Sequence, residues 1–313
     1  MKKRGLFFLL AVIEVMPLIA QEKEDSSLLV GKKVITLSEV VLNNKLNVPA
    51  FIDRIRSDST FYKAFRNLHL VGYTSINDIR MLTKEGASRA SNFSKTRQTV
   101  DNNCRQMETL EEKTTGDFYD DQQQYNYYTA QLYASLFFTK GRICGEDNIV
   151  GDSEFDTRGK SGMEKHKEQL KMLFFNPGKK IKGLPFMSGK TAIYDDDMAD
   201  VYDMSIDMDE YNKTSCYIFI QTVKPGMEGR AVVDKMVTWF NDKTYEVVAR
   251  TYSLSYGAGV YNFKVDMEVQ MTHVGNYLVP SLIRYNGNWK AIFKKRERGV
   301  FTATLFDFKL PGN

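Results

Sequence analysis

The stretch Tyr261-Asn262-Phe263-Lys264-Val265-Asp266-Met267-Glu268-Val269-Gln270-Met271 alternates apolar and polar side chains without a break. Successive side chains of a strand point to opposite faces, so this segment has one oily face and one wet face. Alternation sustained this far specifies a half-buried antiparallel strand. Burying each apolar side chain is worth about 1.5–3 kcal/mol, as an upper bound. The oily face must therefore be covered, either by the rest of the chain or by a guest molecule.

Outward from that strand, the C-terminal part reads as a meander. Strands are predicted at Cys216–Val223, Lys235–Phe240, Tyr245–Tyr256, Tyr261–Met271, Tyr277–Tyr285, Trp289–Lys295 and Val300–Phe308. Between them Asn241-Asp242, Gly257-Ala258-Gly259, Gly275-Asn276, Asn286-Gly287 and Arg298-Gly299 carry turn chemistry. Such short connections make one continuous curled antiparallel sheet.

The N-terminal half mixes periods. Residues 36–68 read as helix in two pieces. Pro49 is placed to open the first, with Phe51, Ile52 and Ile55 at helical spacing. Ser59 can cap the second, which carries Tyr62, Phe65 and Leu68. Residues 21–34 read as a loose polar leader, and Tyr73 to Ile79 as a first strand. Residues 83–103 lack an apolar face and fit an edge strand or a long loop. Strands are expected on to about Phe138, although Tyr128–Phe138 also fits a helix. A helix is predicted at Ser161–Phe175, with Met163, His166, Leu170, Leu173 and Phe174 on one stripe and Asn176-Pro177-Gly178 as its stop. Residues 179–213 are irregular, with strand-like pieces around Tyr202, Met204, Ile206 and Met208.

The first twenty residues read as a signal peptide. Lys2, Lys3 and Arg4 precede a short apolar core at Gly5–Ile13, and Leu18-Ile19-Ala20 offers a cleavage point. That core is too short to span a bilayer, and no later apolar run approaches ~18 residues. The expected product is a periplasmic or secreted, non-membrane-spanning chain, with residues 21–313 as a single domain. Cleavage removes three positive charges and one negative, lowering the formal net charge from +4 to +2. So small a charge gives no global reason to expect a nucleic-acid partner. Of the three cysteines, Cys216 sits in an apolar run, so a disulfide after export would join Cys104 and Cys144; three unpaired thiols is the alternative.

Reaction chemistry is sparse. Gly189-Lys190-Thr191 and Gly159-Lys160-Ser161 are imperfect phosphate-loop fragments. His69, His166 and His273 have no metal-ligand neighbours in sequence, and a structural role is expected for each. The acidic run Asp195, Asp196, Asp197, Asp200, Asp203 reads as a solvated loop or, less simply, a calcium site. No cofactor, metal or catalytic residue is expected, and the chain is not read as an enzyme.

Trp239, Tyr252, Phe263, Val265, Met267, Trp289 and Phe293 are either ordinary core or the lining of an apolar cavity. The basic runs Lys179, Lys180, Lys182 and Lys294, Lys295, Arg296, Arg298 are solvated turns, or else a rim, centred on Lys294, Lys295 and Arg296, for lipid headgroups or an acidic partner.

The segment Val237-Thr238-Trp239-Phe240-Asn241-Asp242-Lys243-Thr244-Tyr245-Glu246-Val247, followed by a meander holding Tyr277-Leu278-Val279-Pro280, resembles exported outer-membrane lipoprotein carriers of the LolA/LolB type. The resemblance lies mainly within residues 214–308. It implies an α+β fold: an open half-barrel whose concave face is covered by helices near 49–67 and 162–175. It also implies an apolar cavity for acyl chains of lipids or lipoproteins, in periplasmic traffic toward the outer membrane. The chain is longer than such carriers, with an insertion-like region at about 85–160. An envelope interaction protein with a self-filled core is the alternative function.

Overall fold

The computed structural model describes residues 26–44, 46–150, 171–181, 187–258, 261–291 and 295–311. The predicted signal peptide, most of the predicted helix at 161–175, His166, Lys182, Gly159-Lys160-Ser161, Phe293 and Lys294 lie outside them.

In the N-terminal half the strands are β1 (Ser26–Val30), β2 (Lys33–Leu37), β3 (Gly72–Leu82), β4 (Ser88–Asp101), β5 (Cys104–Thr115) and β6 (Arg142–Cys144). The C-terminal half holds β7 (Tyr202–Tyr211), β8 (Thr214–Val223), β9 (Val233–Asn241), β10 (Val247–Ala258), β11 (Tyr261–Val274), β12 (Tyr277–Ala291) and β13 (Glu297–Lys309). The helices are α1 (Glu39–Asn43), α2 (Val48–Ser57), α3 (Thr60–Asn67) and α4 (Tyr128–Phe137); residues 171–175 are also helical.

All thirteen described strands form one open sheet, ordered β1-β2-β7-β8-β9-β10-β11-β12-β13-β3-β4-β5-β6. The meander β7–β13 keeps its sequence order, as its short turns require. The N-terminal strands flank it on both sides, with β2 parallel to β7 and β3 antiparallel to β13. Every other pairing is antiparallel. Open sheets wider than ~10 strands curl rather than stay flat. Register shifts at Val247/Ala249, Gln270/Met271 and Lys95/Thr96 add local bends. The inward faces of β2 and of β7 through β4 then share one apolar core, from Ile35 and Ile206 through Val265 and Phe301 to Met81.

Helices cover that face. Asn47 caps α2 by accepting from the Ala50 amide at 3.2 Å, and Pro49 occupies its first turn. Phe51 lands among Tyr217, Phe219, Phe240 and Tyr245, with ring centroids 5.3–6.3 Å away. Ser59 precedes α3, but its side chain makes no cap; Asp58 instead accepts from the Thr60 amide and hydroxyl at 3.0 Å each. Asn67 at the end of α3 donates to the Leu278 carbonyl at 2.7 Å, tying the helix to β12.

Several sequence expectations are corrected. Residues 26–34, read as part of a leader, form the hairpin β1–β2 together with residues 35–37, the last two read as the start of a helical stretch. Residues 88–101 are an interior strand, not an edge or a loop. Its inward side chains Ala90, Asn92, Ser94, Thr96 and Gln98 are buried but mostly polar, so no apolar face was visible. Tyr128–Phe137 is a helix. Asn286-Gly287 is not a turn: β12 runs through it, and the two strands expected at Tyr277–Tyr285 and from Trp289 are one. Gly287 has a packing role instead, because a Cβ there would overlap the ring and hydroxyl of Tyr285 two residues earlier.

Candidate apolar binding site

On β11 the inward residues are Phe263, Val265, Met267 and Val269. Their partners across the ladder are Tyr256, Leu254, Tyr252 and Arg250 on β10 and Trp289, Gly287, Tyr285 and Ile283 on β12. Above this floor lie α4 and residues 171–175. Gly287 and Gly299 pair across β12 and β13, leaving a dent without side chains. The start of α4 sits there: a Cβ on Gly299 would come within 3.2 Å of the Thr129 methyl. Glu297 accepts from the amides of Tyr128 and Thr129 at 2.8 Å each, and from the Thr129 hydroxyl at 2.6 Å. A carboxylate on the first free amides of a helix satisfies them and complements the helix dipole. The Trp289 indole donates to the same threonine at 2.8 Å. Midway along α4, the Tyr133 hydroxyl donates to Asn77 on β3 at 2.7 Å. The other part of the cover is tied by Tyr252, whose hydroxyl donates to the Phe174 carbonyl at 2.5 Å.

Two small apolar gaps remain between floor and cover. One, about 20 Å³, lies among Tyr128, Leu173, Leu254, Phe263, Val265 and Trp289. The other, also about 20 Å³, lies among Phe65, Tyr133, Met267 and Phe301. Leu132, Phe174 and Tyr285 wall both. A gap of this size holds about one water, and these linings offer almost nothing for a water to bond.

A third space adjoins the second. It measures about 170 Å³ and shares Phe65, Leu136, Phe137 and Phe175 with it, but Arg66, His69, Arg105 and Lys171 also line it. Arg105, on β5, donates through Nη2 to Glu146 Oε1 at 3.1 Å, through Nε to Glu146 Oε2, and through Nη1 to Thr139 and Gln98. His69 Nδ1 lies 3.1 Å from Glu146 Oε1. Burial, then the neighbouring Arg105 charge, pushes the His69 pKa down to about 4, so the ring is neutral at pH 7. A neutral histidine beside a carboxylate is half of a nucleophile-activating arrangement. The Ser135 hydroxyl nearby donates to the Leu132 carbonyl at 2.7 Å, however, and no hydroxyl or thiol hydrogen-bonds His69 among the described residues.

Of the sequence candidates, Phe263, Val265 and Trp289 line the first gap and Met267 the second. Tyr252 is beneath the cover as its tether. Trp239 is not with them. Its neighbours Met236, Thr238 and Phe240 point inward, so Trp239 faces outward, 5.2 Å from the Tyr211 ring. Lys295 and Arg296 are exposed, and Arg296 donates to Asn288 and Asn262 at 2.8 and 2.6 Å. Cys104 and Cys144 pair across β5 and β6 and are joined by a disulfide; Cys216 is free and buried. Leu132, Leu136, Tyr285 and the cationic group were not singled out from sequence. The apolar positions of Tyr128–Phe138 were the available signal for the first two.

The remaining motifs resolve locally. Lys190 of Gly189-Lys190-Thr191 lies in a single 3₁₀ turn and donates to the Gly229 carbonyl at 2.7 Å. In the acidic run, Asp195 pairs with Lys180 at 3.0 Å and Asp196 with Lys33 at 3.6 Å. Lys179 donates to the Ile55 carbonyl at 3.2 Å, and His273 lies 3.4 Å from Glu246. Among the described residues no group of three or more His, Cys, Asp or Glu could hold a metal ion. No described helix is long and apolar enough to cross a membrane.

No family model and no curated protein matches the chain. Solved structures do. A DUF1329 family protein from Desulfovibrio piger matches with 11% identity and a TM-score of 0.25, over 80% of this chain and 91% of that one. A putative outer membrane lipoprotein-sorting protein domain from Vibrio parahaemolyticus gives 8% and 0.25, over 78% and 88%. A LolA superfamily protein from Nitrosomonas europaea gives 10% and 0.23, over 80% and 92%. The chain is thus similar in structure to proteins of the LolA superfamily and of the DUF1329 family, at identities and TM-scores that transfer no ligand or partner.

Proposed function

We propose that this is an exported cell-envelope protein that binds an acyl chain or similar apolar chain between the sheet and the cover formed by α4 and residues 171–175. The observation that carries this reading is the row of neighbouring spaces along α4, which share lining residues and two of which are lined almost wholly by apolar side chains. Ligand sites for apolar molecules are built from such linings with few polar groups. α4 has ten residues and so runs about 15 Å at 1.5 Å per residue. Entry of a chain requires Leu132 and Phe174, which separate the two gaps, to swing aside. A bound chain would then replace the contacts that those side chains make with the floor. A disulfide persists in an oxidising compartment, which agrees with export. Traffic of lipids or lipoproteins at the outer membrane is the role proposed for such a carrier, and no nucleic acid enters it.

A second reading has its own support. Each apolar gap has room for about one water, so the core is filled by its own side chains. The protein would then act through its surface on an envelope partner. Organic extraction and native mass spectrometry of the purified protein, with titration of a fluorescent fatty acyl probe, separate the two. Co-purifying lipid, or probe binding that weakens at least about tenfold in Leu132→Trp, supports the carrier. No lipid and no probe binding refutes it and leaves the self-filled core.

A further inference from the structure

The third space differs from the two gaps in its charge. Among the described residues, its ionisable lining is Arg66, Arg105 and Lys171 with His69 and the Tyr62 and Tyr73 hydroxyls. The carboxylates that pair with the two arginines, Glu146 and Asp147, are not among its lining residues. They hold the guanidiniums from behind: Arg66 Nη2 reaches Asp147 at 3.0 Å, and Arg105 is bound by Glu146. Arg66 Nε is shielded from solvent and has no hydrogen-bond partner among the described residues. A shielded N–H on a charged group that makes no bond is costly, and an anion oxygen is the partner that suits it best. The space is partly enclosed and shares four apolar walls with the second gap.

We propose that this cavity receives the anionic headgroup, a carboxylate or phosphate, of an amphiphile whose chain lies in the apolar gaps. The inference rests on the chain-binding reading above and adds the headgroup class. Guanidinium groups suit carboxylate and phosphate because their planar N–H pairs match two oxygens. A partly enclosed cavity lined by one sign of charge also concentrates counter-charge. The order of the spaces fixes the order of the ligand: head at Arg66 and Lys171, chain past Leu136, tail toward Phe263 and Trp289.

The test compares palmitate with hexadecanol, which has the same chain length and no charge, and adds inorganic phosphate alone. Each is titrated against wild type, Arg66→Gln, Lys171→Gln and the charge-retaining Arg66→Lys, with circular dichroism as the folding control. The expected result is palmitate bound at least about tenfold more tightly than hexadecanol. That preference should shrink in both Gln variants and in about 0.5 M salt, and be kept only in part in Arg66→Lys, which retains the charge but loses the planar N–H pair. Equal affinity for both amphiphiles overturns the headgroup assignment while leaving chain binding intact. Phosphate binding that is lost in Arg66→Gln, with neither amphiphile bound, supports an anion site but overturns a lipid as its source. Binding of none of the three overturns both readings.

Discussion

At Gly287 a Cβ would meet the ring of its own strand neighbour, Tyr285. That ring cannot move cheaply, since it stacks on Phe301 at 4.7 Å and walls both apolar gaps. Glycine in a strand normally costs about 0.5–1 kcal/mol relative to alanine, so filling it should help. Here overlap wins: Gly287→Val is expected to destabilise by about 1–3 kcal/mol, read from the urea midpoint. In the Tyr285→Ala background the same change should cost much less, and equal costs would refute the account. His69 gives a second prediction at this scale. Its folded pKa is lowered to about 4 from an ordinary 6.5. Below 6.5 the unfolded chain therefore takes up the proton more readily than the folded one, and stability falls as pH drops from about 6.5 toward 4. Glu146 acts in the same direction. Burial works against its charge, but the Arg105 hydrogen bond and the neighbouring positive groups outweigh it and keep the pKa below the ordinary carboxylate value. Its contribution is lost as pH falls through that depressed value. A His69→Gln variant should show a shallower loss of melting temperature between pH 7 and pH 4; an unchanged slope would count against it.

Among the elements, α4 decides whether there is a cavity at all. Its sequence fits strand or helix, and what selects helix is the docking place. Two glycines clear the dent, Glu297 takes the first amides, and Asn77 takes the Tyr133 hydroxyl. Glu297→Ala should cost about 0.5–2 kcal/mol by removing this cap. Hydrogen exchange at residues 128–137 should speed up more than exchange in β11. If both respond equally, Glu297 supports the sheet as a whole and not α4. β11 itself behaves as its alternation dictates, because its partners on both sides repeat the pattern in register: Tyr252, Met267 and Tyr285 share one rung. β4 shows the converse. Its inward row is polar and is largely satisfied within the fold, as where Gln98 donates to the Leu68 and Val71 carbonyls at 2.7 and 2.8 Å, while Asn92 Oδ1 has no partner among the described residues. A rule that equates inside with apolar misses such a strand.

The described strands form one open sheet, which has two edges to manage. At one end the disulfide Cys104–Cys144 staples the short β6 to β5. At the other, β1 presents Leu29 at 66% exposure, with Val34 beside it across the hairpin at 57%. Long apolar edges invite pairing with another chain. Leu29→Lys should therefore lower the concentration-dependent association seen by sedimentation, with little change in melting temperature. A wild type that stays monomeric at all concentrations would sink this prediction. By itself the sequence determined the alternating strands, their antiparallel order from β8 on, and the apolar face that needs a cover, because period and turn chemistry are local properties. Tertiary structure alone decided that Asn286-Gly287 stays extended, that Trp239 faces away from the core, and that Tyr128–Phe137 is helical. It alone decided, too, that Arg66, His69, Arg105 and Lys171 meet. Each of these depends on what lies across the sheet, tens of residues away in the chain, and no window of sequence contains both partners.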